Sequence, residues 1–157
     1  MGNPKQPFIL GIATFPAYVA ALAVGIALAL PGLADEIPRQ SSPEGANVYI
    51  VSPTNGERVT SPVTVRFGLA GMGVAPAGVE REKTGHHHLI IDAPVPSDKA
   101  PIPADDHHKH FGGGQTETVI ELAPGEHTLQ LVLGDHLHVP HDPPLVSERI
   151  SITVTEE

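Results

Sequence analysis

Histidine is the residue type in this sequence that points most directly to chemistry. All ten histidines lie between residues 86 and 141, and the chain has no cysteine. Nine of them form three groups, and His127 stands alone; the groups are His86-His87-His88, His107-His108-Lys109-His110 and His136-Leu137-His138-Val139-Pro140-His141. Neutral imidazole is the commonest protein ligand of transition metals, and neighbouring carboxylates add ligands or hydrogen-bond acceptors. The sequence therefore predicts a metal site to which the groups contribute together.

The spacing within each group selects the candidate ligands. Residues two apart on an extended segment point to the same side, which pairs His86 with His88 and His136 with His138. Leu137 and Val139 are then expected to face inward. The middle group is either an exposed polar loop or a flap that completes the site, and the three glycines after Phe111 indicate that it packs closely against the rest. The candidate metal ligands are His86, His88, His107, His108, His110, His136, His138 and His141.

Structural roles are expected for the other two histidines. His87 shares a side with Leu89 and Ile91, which predicts a hydrogen-bonded ring at the edge of the core. His127 follows Pro124-Gly125, where sandwich domains often carry a tyrosine that bonds back across a corner.

Nitrogen and carboxylate ligands without thiolate suit Zn(II), Cu(II) or Ni(II), and the lack of cysteine excludes a blue-copper centre. We expect a divalent transition metal, copper or zinc, as cofactor. Three functions remain open on the sequence. One is an exported metal-binding protein. Another is a metal-dependent hydrolase or oxidoreductase, with Asp135 or Asp142 as a base and no assigned catalytic residue. The last is an envelope protein that binds a partner or has a structural role, without metal.

The elements that must position the histidines are short strands. Apolar and polar residues alternate in several segments, and no helical period is sustained after residue 40. Strands are predicted at 47–51, 62–69, 86–92, 116–122, 127–133 and 146–154, with loops at 70–85, 93–115 and 134–144. This pattern predicts an all-β fold, namely an antiparallel immunoglobulin-like β-sandwich with long histidine-bearing loops.

The N-terminal segment predicts export. Residues 8–34 contain no charged residue, and small residues precede Asp35. This order is typical of a signal peptide over 1–34 that forms a hydrophobic helix and is cleaved after Ala34. An uncleaved membrane anchor is the alternative. Residues 35–46 are predicted to be a flexible lead and 47–157 a single domain, in the periplasm or outside the cell.

The charge of the chain bears on its partners. The formal net charge is −9, and every acidic residue follows residue 34. Such a domain repels phosphate backbones and attracts cations, so nucleic acid is not expected as a partner. A metal ion and an envelope protein remain the expected partners. Membrane contact is expected only through an uncleaved N-terminal segment.

Longer strings in the chain resemble a known family. They are Ser61 to Leu69, Gly71 to Gly78, Gly85 to Leu89, His110 to Thr116 and Gly134 to Pro144. Together they are similar to a bacterial domain-of-unknown-function family, number 4399, over about residues 47–155. The resemblance implies a small, exported, single-domain protein with histidine-rich motifs. It implies no reaction, no particular metal and no role for a named residue.

Overall fold

A computed structural model describes residues 1–2 and 37–156 of the chain. The chain divides into two units, Met1–Ala34 and Asp35–Glu157, and every described strand lies in the second. The predicted signal peptide or anchor therefore falls outside the described residues, apart from Met1 and Gly2. Among the described residues, no helix has the length and apolar character needed to cross a membrane.

The second unit is all-β within residues 37–156, as predicted, and contains no helix there. Its strands are β1 (Asn47–Ser52), β2 (Arg58–Thr60), β3 (Val63–Ala70), β4 (Gly73–Val74), β5 (Thr84–Ile91), β6 (His108–His110), β7 (Glu117–Ile120), β8 (Gly125–Gly134) and β9 (Ile150–Thr155). One sheet has three strands in the order β1-β3-β7. The other has six, in the order β2-β9-β8-β5-β4, with β6 also paired to β5.

The two sheets share one hydrophobic core. Alternate residues of the longer strands point inward, so that Val63, Val65 and Phe67 of β3 share one buried cluster with Leu129, Leu131 and Leu133 of β8. Burying a large aliphatic or aromatic side chain contributes about 1.5–3 kcal/mol, and β-branched residues fit the pleated surface well. The period-two pattern of the sequence therefore defines the inner face of each sheet.

Pairing in the larger sheet differs from the prediction in two respects. The pairs β2–β9 and β4–β5 are parallel, whereas the other pairs are antiparallel. The predicted loop 70–85 contains the two-residue strand β4, and the predicted loop 93–115 contains β6, which pairs with β5 through His88 opposite His110. Three residues are too few for a periodic signal, so this strand depends on the neighbour that it joins.

Strand β5 is buried along its whole length. It lies between β8 on one edge and both β4 and β6 on the other. Its inner side enters the main core, while Ile90 on the outer side packs with Ile102 and Val132 in a second, smaller cluster. The outer face of this sheet is therefore covered by loops, and histidines of β5 are removed from water on both sides.

The described part of the predicted flexible lead follows the loop after β8. Ser41 forms a parallel bridge with Asp142, and the Ser42 N–H donates to the Asp142 carbonyl oxygen at 3.0 Å. The Arg39 guanidinium donates to the carbonyl oxygens of Pro140 and His141. These contacts fasten the lead to the loop that carries the third group of histidines.

Candidate metal centre

Strand β5 supplies two histidines to the outer face of the larger sheet. His86 and His88 are two residues apart on an extended strand, so both rings project to the same side. Their ring centroids are 4.8 Å apart, and both residues are fully buried. His87 projects to the opposite side, where its ring centroid lies 5.2 Å from that of Phe67. The structure therefore confirms the predicted alternation, with His86 and His88 on one side of β5 and His87 on the other.

Two further histidines come from distant parts of the chain. His110 lies opposite His88 in the pairing of β5 with β6. His138 lies in the turn that follows β8, whose last residue, Gly134, is the register partner of His86. Backbone pairing on both edges of β5 thus brings the two additional rings to the same place.

The four rings form a compact group, which we call the histidine cluster: His86, His88, His110 and His138. The centroid of the His86 ring lies 5.0 Å from that of His110 and 5.0 Å from that of His138. The His110 and His138 rings are 4.7 Å apart. His88 lies 5.1 Å from His110 and 6.1 Å from His138.

The donor atoms of three of these rings converge. One ring nitrogen from each of His86, His110 and His138 lies within 4.8 Å of the other two. A zinc ion bound by nitrogens at about 2.0–2.1 Å in tetrahedral geometry would hold them about 3.4 Å apart. Separations of up to 4.8 Å would thus have to shrink by no more than about 1.4 Å, which moves each nitrogen inward by about 0.8 Å. The His88 ring packs against the rings of His86 and His110, but its nitrogens are not part of this converging set.

Both nitrogens of His86 and of His88 are buried, and none has a hydrogen-bond partner among the described residues. Burial is the main cause that lowers the pKa of His86 to about 4, and the nearby His110 and His138 lower it further. Burial, followed by His86 and His110, lowers the pKa of His88 to about 2. Burial also lowers the pKa of His110. The three rings are therefore neutral at physiological pH, which is the form that binds a metal.

Two glycines leave space for the rings. A Cβ at Gly134 would lie 2.7 Å from Cε1 of His88, and one at Gly112 would lie 2.4 Å from Cε1 of His110. Any larger residue would have to displace an imidazole ring. The sequence indicated close packing at Gly112 but gave no signal for Gly134, because its neighbour is set by strand pairing.

The backbone of His138 has an unusual conformation. Its φ is +67°, in the left-handed region that few residues other than glycine adopt. Such residues cost of order 1–3 kcal/mol and persist where the surrounding structure fixes them. The carbonyl of His138 accepts a hydrogen bond from the Ile102 N–H at 2.8 Å, so the covering loop helps to hold this residue.

The cluster is accessible from one side. His110 is exposed and His138 is half-buried, in contrast to the buried pair from β5. His110 also lines a cleft of about 620 Å³ between β6 and β7. An ion would therefore reach the site from the side of His110 and His138.

The other four candidate ligands lie outside the cluster and have partners of their own. Nδ1 of His107 bonds to the Ile91 carbonyl oxygen at 2.9 Å, and Nδ1 of His108 bonds to Oδ1 of Asp105 at 2.8 Å. The Gln40 amide donates to Nδ1 of His136 at 3.2 Å, and Nε2 of His141 donates to the Thr84 carbonyl oxygen at 3.1 Å. The structure thus brings together four of the eight predicted ligands.

The segment from His136 to His138 is a turn and does not extend strand β8 as expected. The His138 N–H bonds to the Asp135 carbonyl oxygen at 2.9 Å, which closes the turn. Val139 is fully buried as predicted, but Leu137 is 44% exposed. The i, i+2 argument therefore holds for β5 and fails for this segment, because it applies only to extended backbone.

His127 has the structural role that the sequence predicted. Its Nδ1 donates to Oδ2 of Asp92 at 2.6 Å, and its Nε2 donates to the Ala123 carbonyl oxygen at 2.8 Å. Burial lowers its pKa, but the two hydrogen bonds outweigh this effect and raise the pKa above 6.5. His87 is buried as expected; burial lowers its pKa, and an interaction with the Gln115 backbone opposes this effect.

Comparison with known proteins identifies the family. The model of a domain of unknown function, DUF4399, matches residues 65–155. This range includes the four histidines of the cluster and most of both sheets. No curated protein and no solved structure matches the chain. The match covers more than half of the sequence and agrees with the resemblance of its histidine-bearing strings, so the chain belongs to the DUF4399 family.

Proposed function

We propose that this domain binds a divalent transition-metal ion, copper or zinc, in the histidine cluster. The observation that carries the proposal is the convergence of ring nitrogens from His86, His110 and His138, together with the lack of a hydrogen-bond partner among the described residues for the buried nitrogens of His86 and His88. A buried polar group without a partner costs about 1–3 kcal/mol, so a fold retains several of them together only where something compensates. A metal ion bound to their lone pairs supplies that compensation.

The donor set selects the class of ion. Imidazole suits zinc, copper and nickel, and calcium or magnesium would require oxygen ligands. His86, His110 and His138 provide the converging nitrogens, and the His88 ring packs against those of His86 and His110 without joining the converging set. The rings on β5 are fixed by the sheet. Adjustment on binding would therefore fall to His110, on an edge strand, and His138, in a turn.

Binding is favoured over catalysis by the placement of the nearby carboxylates. Asp142, one candidate base, forms an ion pair with Arg39 at 3.5 Å. Asp135, the other, is fully buried and accepts hydrogen bonds from two backbone N–H groups. Neither carboxylate is placed to activate water for an incoming substrate.

The setting that we propose for this function is outside the cytoplasm, on an immunoglobulin-like scaffold. The export signal predicted for residues 1–34 supports the location. The scaffold is supported by two sheets with a common core and by the His127 bond to Ala123, which resembles the tyrosine corner of such domains. Outside the cytoplasm, a protein is exposed to metal ions whose free concentration the cytoplasm does not buffer.

Calorimetric titration of the purified protein with Zn(II) and with Cu(II) tests the proposal. We expect one ion to bind per chain and to be removed by a chelator. Mutations of outer-shell partners typically lower metal affinity 10–100-fold, so loss of a ligand in His86→Ala or His138→Ala should lower it by at least about 100-fold.

His107→Ala and His136→Ala are the matched controls, because each removes a histidine from outside the cluster. Their affinities should stay within about twofold of the unmodified protein, as expected for changes of about 0.5 kcal/mol or less away from the site. Absence of binding would refute the proposal. An equal loss of affinity in His107→Ala and His86→Ala would also contradict it.

A further inference from the structure

Asp135 organises the turn that presents His138. Its Oδ1 accepts hydrogen bonds from the backbone N–H of Leu137 at 2.8 Å and of Val139 at 3.0 Å. Its backbone N–H donates to the Val139 carbonyl oxygen at 2.9 Å, and its carbonyl oxygen accepts the His138 N–H. The residues on both sides of His138 are therefore attached to one aspartate.

The other carboxylate oxygen of Asp135 has no such role. Asp135 is fully buried, and its Oδ2 has no hydrogen-bond partner among the described residues. Asp135 directly follows Gly134, which lies opposite His86 in the pairing of β5 with β8. Its negative charge also opposes the lowering of the His86 pKa, so the two groups interact electrostatically.

We propose that Asp135 is the positioning and charge-balancing residue of the metal site. Oδ1 fixes the turn that carries His138, and Oδ2 accepts a hydrogen bond from the ring N–H that His86 retains when its other nitrogen binds the ion. This inference rests on the proposed function and deepens it, because it assigns a role to a residue that is not itself a ligand.

The physical basis is charge as well as geometry. A divalent ion held by the neutral imidazoles of His86, His110 and His138 leaves two positive charges beside the fully buried His86, which is unfavourable unless a counter-charge is close. A metal-bound histidine usually donates its second N–H to a carboxylate or carbonyl, which fixes the ring and makes the ligand more basic. Oδ2 of Asp135 meets both needs with one oxygen.

Asp135→Asn separates the two roles. The asparagine keeps an oxygen that accepts from Leu137 and Val139, but it places an uncharged NH₂ where Oδ2 was. We expect Zn(II) affinity to fall 10–100-fold, the range found for the partners of metal-bound histidines. Asp142→Asn is the matched control, because it removes a carboxylate from the same loop at an exposed position, and its affinity should stay within about twofold.

The outcomes are distinguishable from failure of the proposed function. If the unmodified protein binds no zinc, the metal site itself is refuted. If it binds zinc and Asp135→Asn binds equally well, only the role of Asp135 is overturned. An equal loss in Asp142→Asn would assign the effect to general charge and would also overturn it.

A second measurement needs no variant and covers the case in which Asp135→Asn fails to fold. In the zinc-loaded protein, ¹⁵N-labelled histidine should give a slowly exchanging, downfield ring N–H signal for His86. A His86 ring N–H that exchanges as fast as an exposed imidazole would show that Oδ2 does not accept it, and the proposal would be abandoned.

Discussion

The two ends of strand β8 place histidines in opposite environments. Near its start, His127 donates both ring N–H groups to oxygens, one of them a carboxylate. Its last residue, Gly134, lies opposite His86, whose ring nitrogens are buried without a hydrogen-bond partner among the described residues. The first environment raises the pKa of the imidazole and the second lowers it.

The difference separates the structural histidine from the proposed metal ligands. Two hydrogen-bond acceptors stabilise the charged ring of His127, so both of its ring nitrogens are satisfied without a metal ion. In the histidine cluster, burial and the neighbouring rings keep His86 and His88 neutral. The lone pairs of their ring nitrogens therefore remain available to bind an ion. The proposal of metal binding therefore rests on the convergence of neutral imidazoles from separate parts of the chain and not on the number of histidines in the sequence.

The largest effect that would test this contrast is a loss of metal-free stability at low pH. The folded protein resists protonation of His86 until the pH approaches about 4, whereas the unfolded chain takes up the proton near 6.5. Stability should therefore fall as the pH decreases from 6.5 towards 4. A pKa lowered from 6.5 to about 4 corresponds to about 3 kcal/mol of stability lost for this residue alone.

Urea unfolding of chelator-treated protein between pH 7 and pH 4 measures this loss. His86→Gln serves as the control, because it has no titrating ring and should show a correspondingly smaller dependence on pH. A stability that is constant over this range would mean that the cluster does not hold its rings neutral.

Gly134→Ala is expected to have an intermediate effect. Its Cβ would lie 2.7 Å from Cε1 of His88 and 3.4 Å from Cα of His138, so the His88 ring must move within a filled site. We expect Zn(II) affinity to fall about tenfold, equivalent to about 1.4 kcal/mol. Calorimetric titration measures the change, with circular dichroism to verify the fold.

Gly73→Ala is the matched control for the glycine substitution. It also lies on a strand of the larger sheet, but its nearest neighbour would be Cγ2 of Thr84 at 3.5 Å, an ordinary contact. Its affinity should remain unchanged. If Gly134→Ala also binds zinc normally, the close packing around His88 is not needed for metal binding.

The smallest effect is expected at the other end of β8. His127→Ala removes two hydrogen bonds at a partly exposed corner and should lower the free energy of unfolding by about 1–2 kcal/mol, with no change in zinc affinity. Because the folded state raises the pKa of His127, the pH dependence has the opposite sign to that of His86. The contribution of His127 to the stability is fully present below pH 6.5 and is lost as the pH rises through the raised pKa.

Urea unfolding of His127→Ala beside the unmodified protein, at pH 6 and at pH 8.5, measures this contribution. The two proteins should differ more at pH 6. A larger difference at pH 8.5, or weaker zinc binding by the variant, would contradict the assignment of His127 to a purely structural role.

Local pattern made part of this site predictable. His86 and His88 were paired from strand periodicity, and His127 was placed at a corner from the preceding Pro124-Gly125. His107 and His108 belong to the same histidine group of the sequence as His110. In the structure, however, His107 bonds to Ile91 and His108 bonds to Asp105. Their separation from His110 follows from the register of β6 against β5, which no short string of residues encodes.

The turn after β8 illustrates the same limit. An alternating string predicted an extended segment there, but Asp135 closes a turn that gives His138 a φ of +67° and exposes Leu137. A side-chain acceptor for two backbone N–H groups outweighs a weak strand preference. The outcome depends on whether the aspartate is buried, which is a property of the folded chain.

The sequence by itself determined the all-β class, the inner faces of the main strands and the shared side of His86 and His88, because period two is a local property of extended backbone. Only the tertiary structure decided which other histidines join them. His110 arrives by strand pairing and His138 by a turn after a neighbouring strand, and both depend on contacts between residues distant in the chain.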